Sequence, residues 1–130
     1  MSGRRIGVTG ASGFIGRHLV RRLAARGDLV TAFQRDAAAP PPGPGVTVRP
    51  FRLPDGIEAA HFAGLDAVVH AALVEHGPAA RDSDAQNREG AQRVVAAARA
   101  HGTRVVFLST LSAHPEATSH YGRNKLELER

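Results

Sequence analysis

The residues of this chain best suited to catalysis are its single tyrosine and its single lysine, Tyr121 and Lys125. On a helix, residues four apart share one face, with their Cβ atoms about 5–6 Å apart. An ammonium beside a phenol favours the phenolate, so it would lower the tyrosine pKa from its usual value of about 10. The pair could therefore exchange a proton with a carbonyl or alcohol oxygen. The alternative interpretation is an exposed pair on a solvated helix.

A group of hydroxyl side chains precedes this pair, at Ser109, Thr110 and Ser112. They follow an apolar run, Arg104 to Leu108, that is typical of a buried strand. Ligands of open parallel sheets bind at the carboxyl ends of the strands. These hydroxyls could hydrogen-bond a substrate oxygen there, or could serve only as turn and capping residues.

Phosphate binding is predicted at the start of the chain, where Gly10, Gly13 and Gly16 repeat every third residue after a short apolar run. Glycine accepts positive φ and lets the backbone approach a ligand closely. The helix that follows presents unpaired N–H groups and the positive end of its dipole to an anion. The pattern predicts a strand, a tight turn and a helix that hold a nucleotide pyrophosphate.

Strands and helices alternate along the rest of the chain, which predicts an α/β fold with a doubly wound parallel sheet of Rossmann type. A helix from Phe14 to Arg26 would bury Ile15, Leu19 and Leu23. A longer helix capped by Ser83 or Asp84 would end at Gly102. The predicted strands are residues 5–9, Leu29–Phe33, Val46–Val48, Asp66–Ala72 with its loop, and Arg104–Leu108. A proline-rich loop spans Ala37–Gly45, a helical turn Ile57–Phe62, and a last helix Ser119–Arg130.

Composition excludes several classes of function. The 130 residues suit one domain, here residues 1–130, and contain no cysteine, so disulfides and thiolate sites are ruled out. No apolar run is long enough to span a bilayer and no signal peptide precedes the first strand, so we expect a cytoplasmic protein without membrane partners. The net charge of +5 comes from arginines scattered over predicted helix faces, which argues against nucleic acid as a partner. The seven histidines show no metal-ligand spacing.

These motifs together resemble the short-chain dehydrogenase/reductase superfamily, and within it the extended and atypical NAD-dependent epimerase/dehydratase type. The run T-G-A-S-G-F-I-G from Thr9 is similar to the T-G-x-x-G-F-I-G of extended members. Asp66–Ala72 resembles the D-x-V-x-H-x-A strand. Asn87 with Gly90 is similar to N-x-x-G, and Tyr121 with Lys125 to Y-x-x-x-K.

The resemblance implies a role for each matching residue. Tyr121 would be the general acid/base, and Lys125 would bind the nicotinamide ribose and depress the tyrosine pKa. Thr110 would supply the third hydroxyl, with Ser112 or Ser109 as alternatives. The remaining residues implied to bind cofactor are Gly10, Ser12, Gly13, Phe14, Ile15, Gly16, Arg35, Leu53, Ala71, Ala72 and Asn87.

The choice of cofactor depends on Arg35 and Asp36, which end the second strand. An arginine there accommodates the 2′-phosphate of NADP, and an acidic residue binds the ribose hydroxyls of NAD. Arg35 favours NADP, while NAD stays open if the register shifts by one residue. Two departures from the family pattern stand out: Arg52 replaces an expected adenine-side aspartate, and Thr110 lies only eleven residues before Tyr121, as in atypical relatives.

The expected function is NAD(P)-dependent hydride transfer at a carbonyl or alcohol carbon, as an oxidoreductase, epimerase or dehydratase. The substrate would be a small carbonyl compound, an alcohol or a nucleotide sugar. The resemblance also implies a homodimer and a C-terminal substrate-binding part that this chain lacks. The alternative is a non-catalytic NADP-binding module that senses redox state or stabilises a complex. A third possibility, a basic domain that binds nucleic acid, is disfavoured.

Overall fold

A computed structural model describes residues 3–72 and 80–108 of the chain, and the side chains of residues 80–84 are not described. The strands are β1 (Arg5–Thr9), β2 (Leu29–Gln34), β3 (Val46–Pro50), β4 (Ala67–His70) and β5 (Arg104–Phe107). The helices are α1 (Phe14–Ala25) and α2 (Ala80–Ala100), with a short 3₁₀ helix at Ala59–Phe62.

The five strands form one parallel sheet in the order β3-β2-β1-β4-β5. Strand β1 lies at the centre, between β2 and β4, so the order reverses beside it. A crevice at such a reversal, outside the carboxyl ends of the strands, is where ligands bind in open α/β sheets. The predicted Rossmann-type fold is confirmed, and it places the end of β1 at this point.

Each face of the sheet has its own apolar core, as expected for parallel strands that are covered on both sides. The first core packs under α2 and the second under α1. The first comprises Phe33, Phe51, Phe62, Leu65, Val68, Val94, Ala97 and Ala98, and the second Val8, Ala11, Val20, Val30, Ala32 and Val46. The buried strands hold the loops at their carboxyl ends in fixed register.

Two sequence predictions about the helices are wrong. Helix α2 begins at Ala80, so Ser83 and Asp84 lie inside it and neither is its cap. Alanine and arginine are strong helix formers, so Ala80 and Arg81 extend the helix toward its N-terminus. Of the three residues expected to be buried on α1, Ile15 is 53% exposed, whereas Leu19 and Leu23 pack against the core beside the buried Gly16 and Val20. The other described elements match the predictions within about two residues.

At the amino ends of the strands, hydrogen bonds to the carboxylate of Asp28, which directly precedes β2, link it to the residue before β1 and to the end of α1. It accepts hydrogen bonds from the Arg4 amide at 2.9 Å and from Nε of Arg26 at 3.0 Å. The Arg4 amide lowers the pKa of Asp28 below 3.8; burial opposes this shift, and the guanidinium of Arg26 adds to it. A group with a depressed folded pKa stabilises the fold above its unfolded pKa, and this stabilisation is lost as the pH falls through the folded pKa.

We therefore expect Asp28→Asn to unfold at lower urea than wild type at about pH 7, with the difference vanishing as the pH falls through the depressed pKa of Asp28. Asparagine keeps an acceptor for the Arg4 amide but loses the charge that faces Arg26. Urea unfolding followed by circular dichroism at several pH values measures the effect. Asp55→Asn, at an exposed position, is the matched control and should show little difference. A constant deficit for Asp28→Asn at every pH would contradict the charge-based explanation.

No helix in the part of the chain that the structure describes is long and apolar enough to cross a membrane.

Candidate functional site

The glycine turn lies where the sheet order reverses, at the carboxyl end of β1. The amide of Ala11 donates to the carbonyl oxygen of Phe33 at 3.2 Å, which ties the turn to the end of β2. On its other side, Gly10 lies against the backbone of Ala71 and Ala72, which follow β4. The turn therefore bridges the ends of both neighbouring strands.

Two of the three glycines are required by close backbone approach. Gly10 has φ +64°, and a Cβ placed on it would lie 2.8 Å from the Cα of Ala72. A Cβ on Gly16 would overlap the carbonyl oxygen of Gly10 and lie 2.9 Å from the Cα of Ala11. Any larger residue at Gly16 would therefore push the first turn of α1 away from the strand. These contacts explain why positions 10 and 16 are glycine, because at both of them backbone packs directly against backbone.

The first turn of α1 leaves its amide groups open to an anion. Gly13 is the N-cap and has no side chain to accept their hydrogen bonds, and the first turn contains no acidic residue. The first N–H groups of a helix have no partner within the helix, and together with its dipole they bind phosphate. Phe14 and Ile15 are exposed there, and Ser12 is exposed in the turn. The backbone at this position fits the pyrophosphate of a dinucleotide.

A buried hydrogen-bond cluster fixes the loop after β4 to the end of β1. The hydroxyl of Thr9 accepts the amides of Ala71 and Ala72, each at 3.0 Å, and lies 2.7 Å from Nδ1 of His70. A threonine hydroxyl has two acceptor lone pairs and one proton. Since both lone pairs are used, Thr9 donates its proton to Nδ1 of His70, which therefore carries no hydrogen. The His70 ring is buried between those of Phe51 and Phe107.

Sequence reasoning missed the role of Thr9 in this cluster. It identified His70 only as part of a strand motif, and Thr9 only as the first letter of the glycine run. The signal was a hydroxyl at the carboxyl end of one strand and a histidine at the end of another. Their contact depends on the pairing of β1 with β4, in which Thr9 lies opposite His70.

We expect Thr9→Val to lower the free energy of unfolding by about 2–4 kcal/mol, because it leaves two amides and one ring nitrogen without a partner. Thr9→Ser keeps the hydroxyl and should stay much closer to wild type. Urea unfolding of both variants measures the difference. Equal stability of the valine and serine variants would show that the hydroxyl does not hold the Ala71–Ala72 loop.

Two charged residues, Arg35 and Asp36, follow β2, and their side chains differ in their hydrogen-bond partners. The Oδ1 atom of Asp36 accepts the amide of Ala38 at 3.1 Å, so this carboxylate is used by its own turn. Arg35 is exposed, and its guanidinium makes no hydrogen bond or ion pair within residues 3–72 and 80–108. Both side chains are exposed, so Arg35 offers a ligand a cation with no partner in this part of the chain, and Asp36 offers its second carboxylate oxygen.

The other residues expected near the cofactor lie on the α2 side of the sheet. Leu53 is half-buried and packs against Gly90, where an added Cβ would overlap its Cδ2 atom. Asn87 lies one turn earlier on α2 and is buried. The structure thus brings Leu53 and the Asn87–Gly90 turn together, while Gly10, Ala71 and Ala72 form a separate contact at the end of β1.

The predicted catalytic residues lie outside the described residues. These are Thr110, Ser112, Tyr121 and Lys125, together with the alternative Ser109. Among the described residues, no group of three His, Asp or Glu side chains is placed to hold a metal ion.

Comparison with known proteins gives the family of the chain. The model of the NAD dependent epimerase/dehydratase family matches residues 6–129. The ceramide reductase of Caulobacter vibrioides is 30% identical over 129 residues, covering 92% of this chain and 39% of that protein. The 2-alkyl-3-oxoalkanoate reductase of Stenotrophomonas maltophilia is 39% identical over 117 residues, covering 88% of this chain and 36% of that protein.

Among solved structures, a short-chain dehydrogenase/reductase superfamily protein from Agrobacterium tumefaciens with bound NAD superposes with a TM-score of 0.78. It is 32% identical, and the match covers 97% of this chain and 43% of that one. The chain spans about two fifths of the length of the two curated relatives, the ceramide reductase and the 2-alkyl-3-oxoalkanoate reductase.

Proposed function

Since the chain belongs to the NAD dependent epimerase/dehydratase family, we propose that it is the cofactor-binding part of an NADP-dependent oxidoreductase that acts on a carbonyl or alcohol carbon. The observation that carries the proposal is the glycine turn at the end of β1. There the open N-terminus of α1 and the close backbone contacts of Gly10 and Gly16 form a cradle that a Cβ would fill.

Several backbone groups of this chain would hold the dinucleotide. The amides of Phe14 and Ile15 would donate to the pyrophosphate, because no side chain of Gly13 competes for them. The loop of Ala71 and Ala72, fixed by Thr9, would border the cofactor beyond the pyrophosphate. Arg35 would bind the 2′-phosphate of NADP, since its exposed guanidinium has no partner in the described part of the chain.

A bound nicotinamide cofactor supplies or accepts the hydride, and the protein supplies position and electrostatics. Tyr121 would give a proton to the substrate oxygen during reduction, or take it during oxidation. Lys125 would favour the phenolate of Tyr121 and bind the nicotinamide ribose. Thr110, or alternatively Ser112, would orient the substrate oxygen by a hydrogen bond.

Reduction of a ketone is the reaction that the comparisons favour over sugar epimerisation. The two curated relatives are both named as reductases, one of ceramide and one of 2-alkyl-3-oxoalkanoates. Their identities of 30% and 39% extend over most of this chain. We propose a carbonyl compound as the substrate, with nucleotide sugars as the second class to test.

The proposal is tested by calorimetric titration of the protein with NADPH and, in parallel, with NADH. We expect NADPH to bind more tightly by about tenfold or more, since a charge-assisted pair with the 2′-phosphate is absent in NADH. NADPH oxidation with a panel of ketones, aldehydes and nucleotide sugars then identifies the substrate class. Tighter binding of NADH would overturn the NADP assignment, and binding of neither would overturn the proposed cofactor site.

The alternative to an enzyme is a non-catalytic protein module that binds NADP. It would bind NADPH in the titration and turn over nothing in the panel. The retention of both Tyr121 and Lys125 at their four-residue spacing favours catalysis.

A further inference from the structure

We propose that a groove beside α1, at the end of the sheet opposite the glycine turn, binds an acidic amphipathic helix of a partner protein. The groove has a volume of about 230 Å³. On one side it is lined by the second half of α1, through Val20, Arg21, Ala24 and Ala25. On the other side lie the proline-rich loop, residues 37–45, and Val46 at the start of β3. The groove is therefore separate from the proposed cofactor site.

The groove lies where the sheet lacks a crossover helix. The connections from β1 to β2 and from β4 to β5 each contain a helix, whereas residues 35–45, which connect β2 to β3, contain none. Parallel strands are usually connected by a helix, and parallel sheets are covered on both faces. On the α1 side of β3, Val46 is buried but Val48 is only half-buried. A helix supplied by a partner would complete the cover of this face.

The size and lining of the groove favour an anchoring side chain over a whole small molecule. Pockets for small molecules measure roughly 300–1,000 Å³ and enclose most of their ligand. This groove is smaller, is open to solvent along one side and is lined mostly by apolar side chains. Amphipathic helices bind such grooves by inserting apolar side chains at positions i, i+3, i+4 and i+7. The groove thus fits one or two apolar side chains of a helix.

The exposed side chains of α1 give the rim of the groove a positive charge. Helix α1 contains no acidic residue, and Arg17, Arg21 and Arg22 are all exposed. Arg26 pairs with the carboxylate of Asp28, but Arg21 and Arg22 have no hydrogen bond or ion pair in the described part of the chain. Arg17 and Arg21 are four residues apart on the helix, where like charges repel each other. Carboxylates of a partner would relieve this repulsion, so charge complementarity favours an acidic helix.

A second copy of this chain is a poorer occupant of the groove. A symmetric contact between two copies would place the same arginine-rich face of α1 on both sides of the interface. Each copy carries a net charge of +5, and like charges across an interface weaken association. Dimerisation through this face is therefore an outcome that would contradict the proposal.

The experiment measures the fluorescence anisotropy of a labelled helical peptide with leucines on one face and glutamates on the other. We expect saturable binding that weakens as salt is raised, and binding about tenfold weaker or more when lysines replace the glutamates or serines replace the leucines. Arg21→Glu and Ala25→Glu should each weaken binding about tenfold, because each places a carboxylate at the groove. Ala25→Gln, of similar size, should lose less. The matched control is Arg99→Glu, at an exposed position in the last turn of α2, which should bind as wild type does.

Several outcomes would overturn this inference. They are no binding of the acidic peptide by wild type, equal binding by wild type and Arg21→Glu, and an equal loss in Arg99→Glu. Tighter binding of a single-stranded oligonucleotide or of anionic phospholipid vesicles would point to another class of partner and would also refute it. So would dimerisation in sedimentation experiments that Arg21→Glu abolishes. Circular dichroism and NADPH titration of Arg21→Glu and Ala25→Glu should match wild type, so that a loss of peptide binding is assigned to the groove and not to the fold or the cofactor site.

Discussion

Gly16→Ala is expected to weaken NADPH binding about a hundredfold, because it moves the amides that hold the pyrophosphate and each charge-assisted hydrogen bond is worth about 1.5–3 kcal/mol. The new Cβ would overlap the carbonyl oxygen of Gly10 and press on the Cα of Ala11. All of these neighbours are backbone atoms, so no side chain can rotate to make room. The first turn of α1 must therefore move away from β1.

The same overlap lowers the free energy of unfolding by about 1–3 kcal/mol, as overpacking in a core does. Gly43→Ala is the matched control, because a Cβ at that position meets nothing within 4 Å. Titration with NADPH and urea unfolding of both variants measure the two effects. Wild-type affinity in Gly16→Ala would show that the pyrophosphate does not lie at the N-terminus of α1.

Tyr121→Phe is expected to lower kcat by about 10²–10⁴-fold, the usual contribution of a general acid/base. The substitution removes only the phenolic oxygen, so the affinity for NADPH should stay close to that of wild type. Steady-state NADPH oxidation with the best substrate of the panel measures kcat, and calorimetry measures binding. The two measurements together distinguish a lost proton donor from a lost cofactor site.

Lys125→Met serves as the partner variant, because it keeps an apolar stem of similar length while removing the ammonium. We expect it to lower kcat and to shift the pH–rate profile toward higher pH, since the phenolate loses its neighbouring cation. It should also weaken NADPH binding, which Tyr121→Phe does not. Normal turnover by Tyr121→Phe would rule out the acid/base role and would favour a different proton donor.

The fold could be predicted from the sequence because its signals are local. Short apolar runs of strand length alternate with helical segments. The turn between the first two elements is predicted by the spacing of Gly10, Gly13 and Gly16. Right-handed parallel connections then predict helices that cover the sheet, whereas the order β3-β2-β1-β4-β5 came from the structure. The start of α2 at Ala80 was missed because helix propensity extended the helix beyond the expected caps at Ser83 and Asp84.

The candidate site was predicted only in part, because the residue types and spacing within one segment do not show which residues of other strands it will contact. The glycine turn and Arg35 were found from motif spacing, whereas the bond between Thr9 and His70 needs two strands 61 residues apart in sequence. Gly7 gave no signal either, yet a Cβ there would lie 2.7 Å from the ring of Phe33. The roles proposed for Thr110, Ser112, Tyr121 and Lys125 stay predictions, since these residues lie outside the described part of the chain.

The sequence by itself determined the order of elements, the glycine turn and the candidate Tyr121–Lys125 pair, because spacing and residue type express these along a single segment. Only the tertiary structure decided which groups meet. It set Gly16 against Gly10, joined Thr9 to the Ala71–Ala72 loop, and packed Leu53 against Gly90. The physical reason is that strand pairing and helix packing bring together backbone and side chains far apart in the chain, and no local preference encodes that proximity.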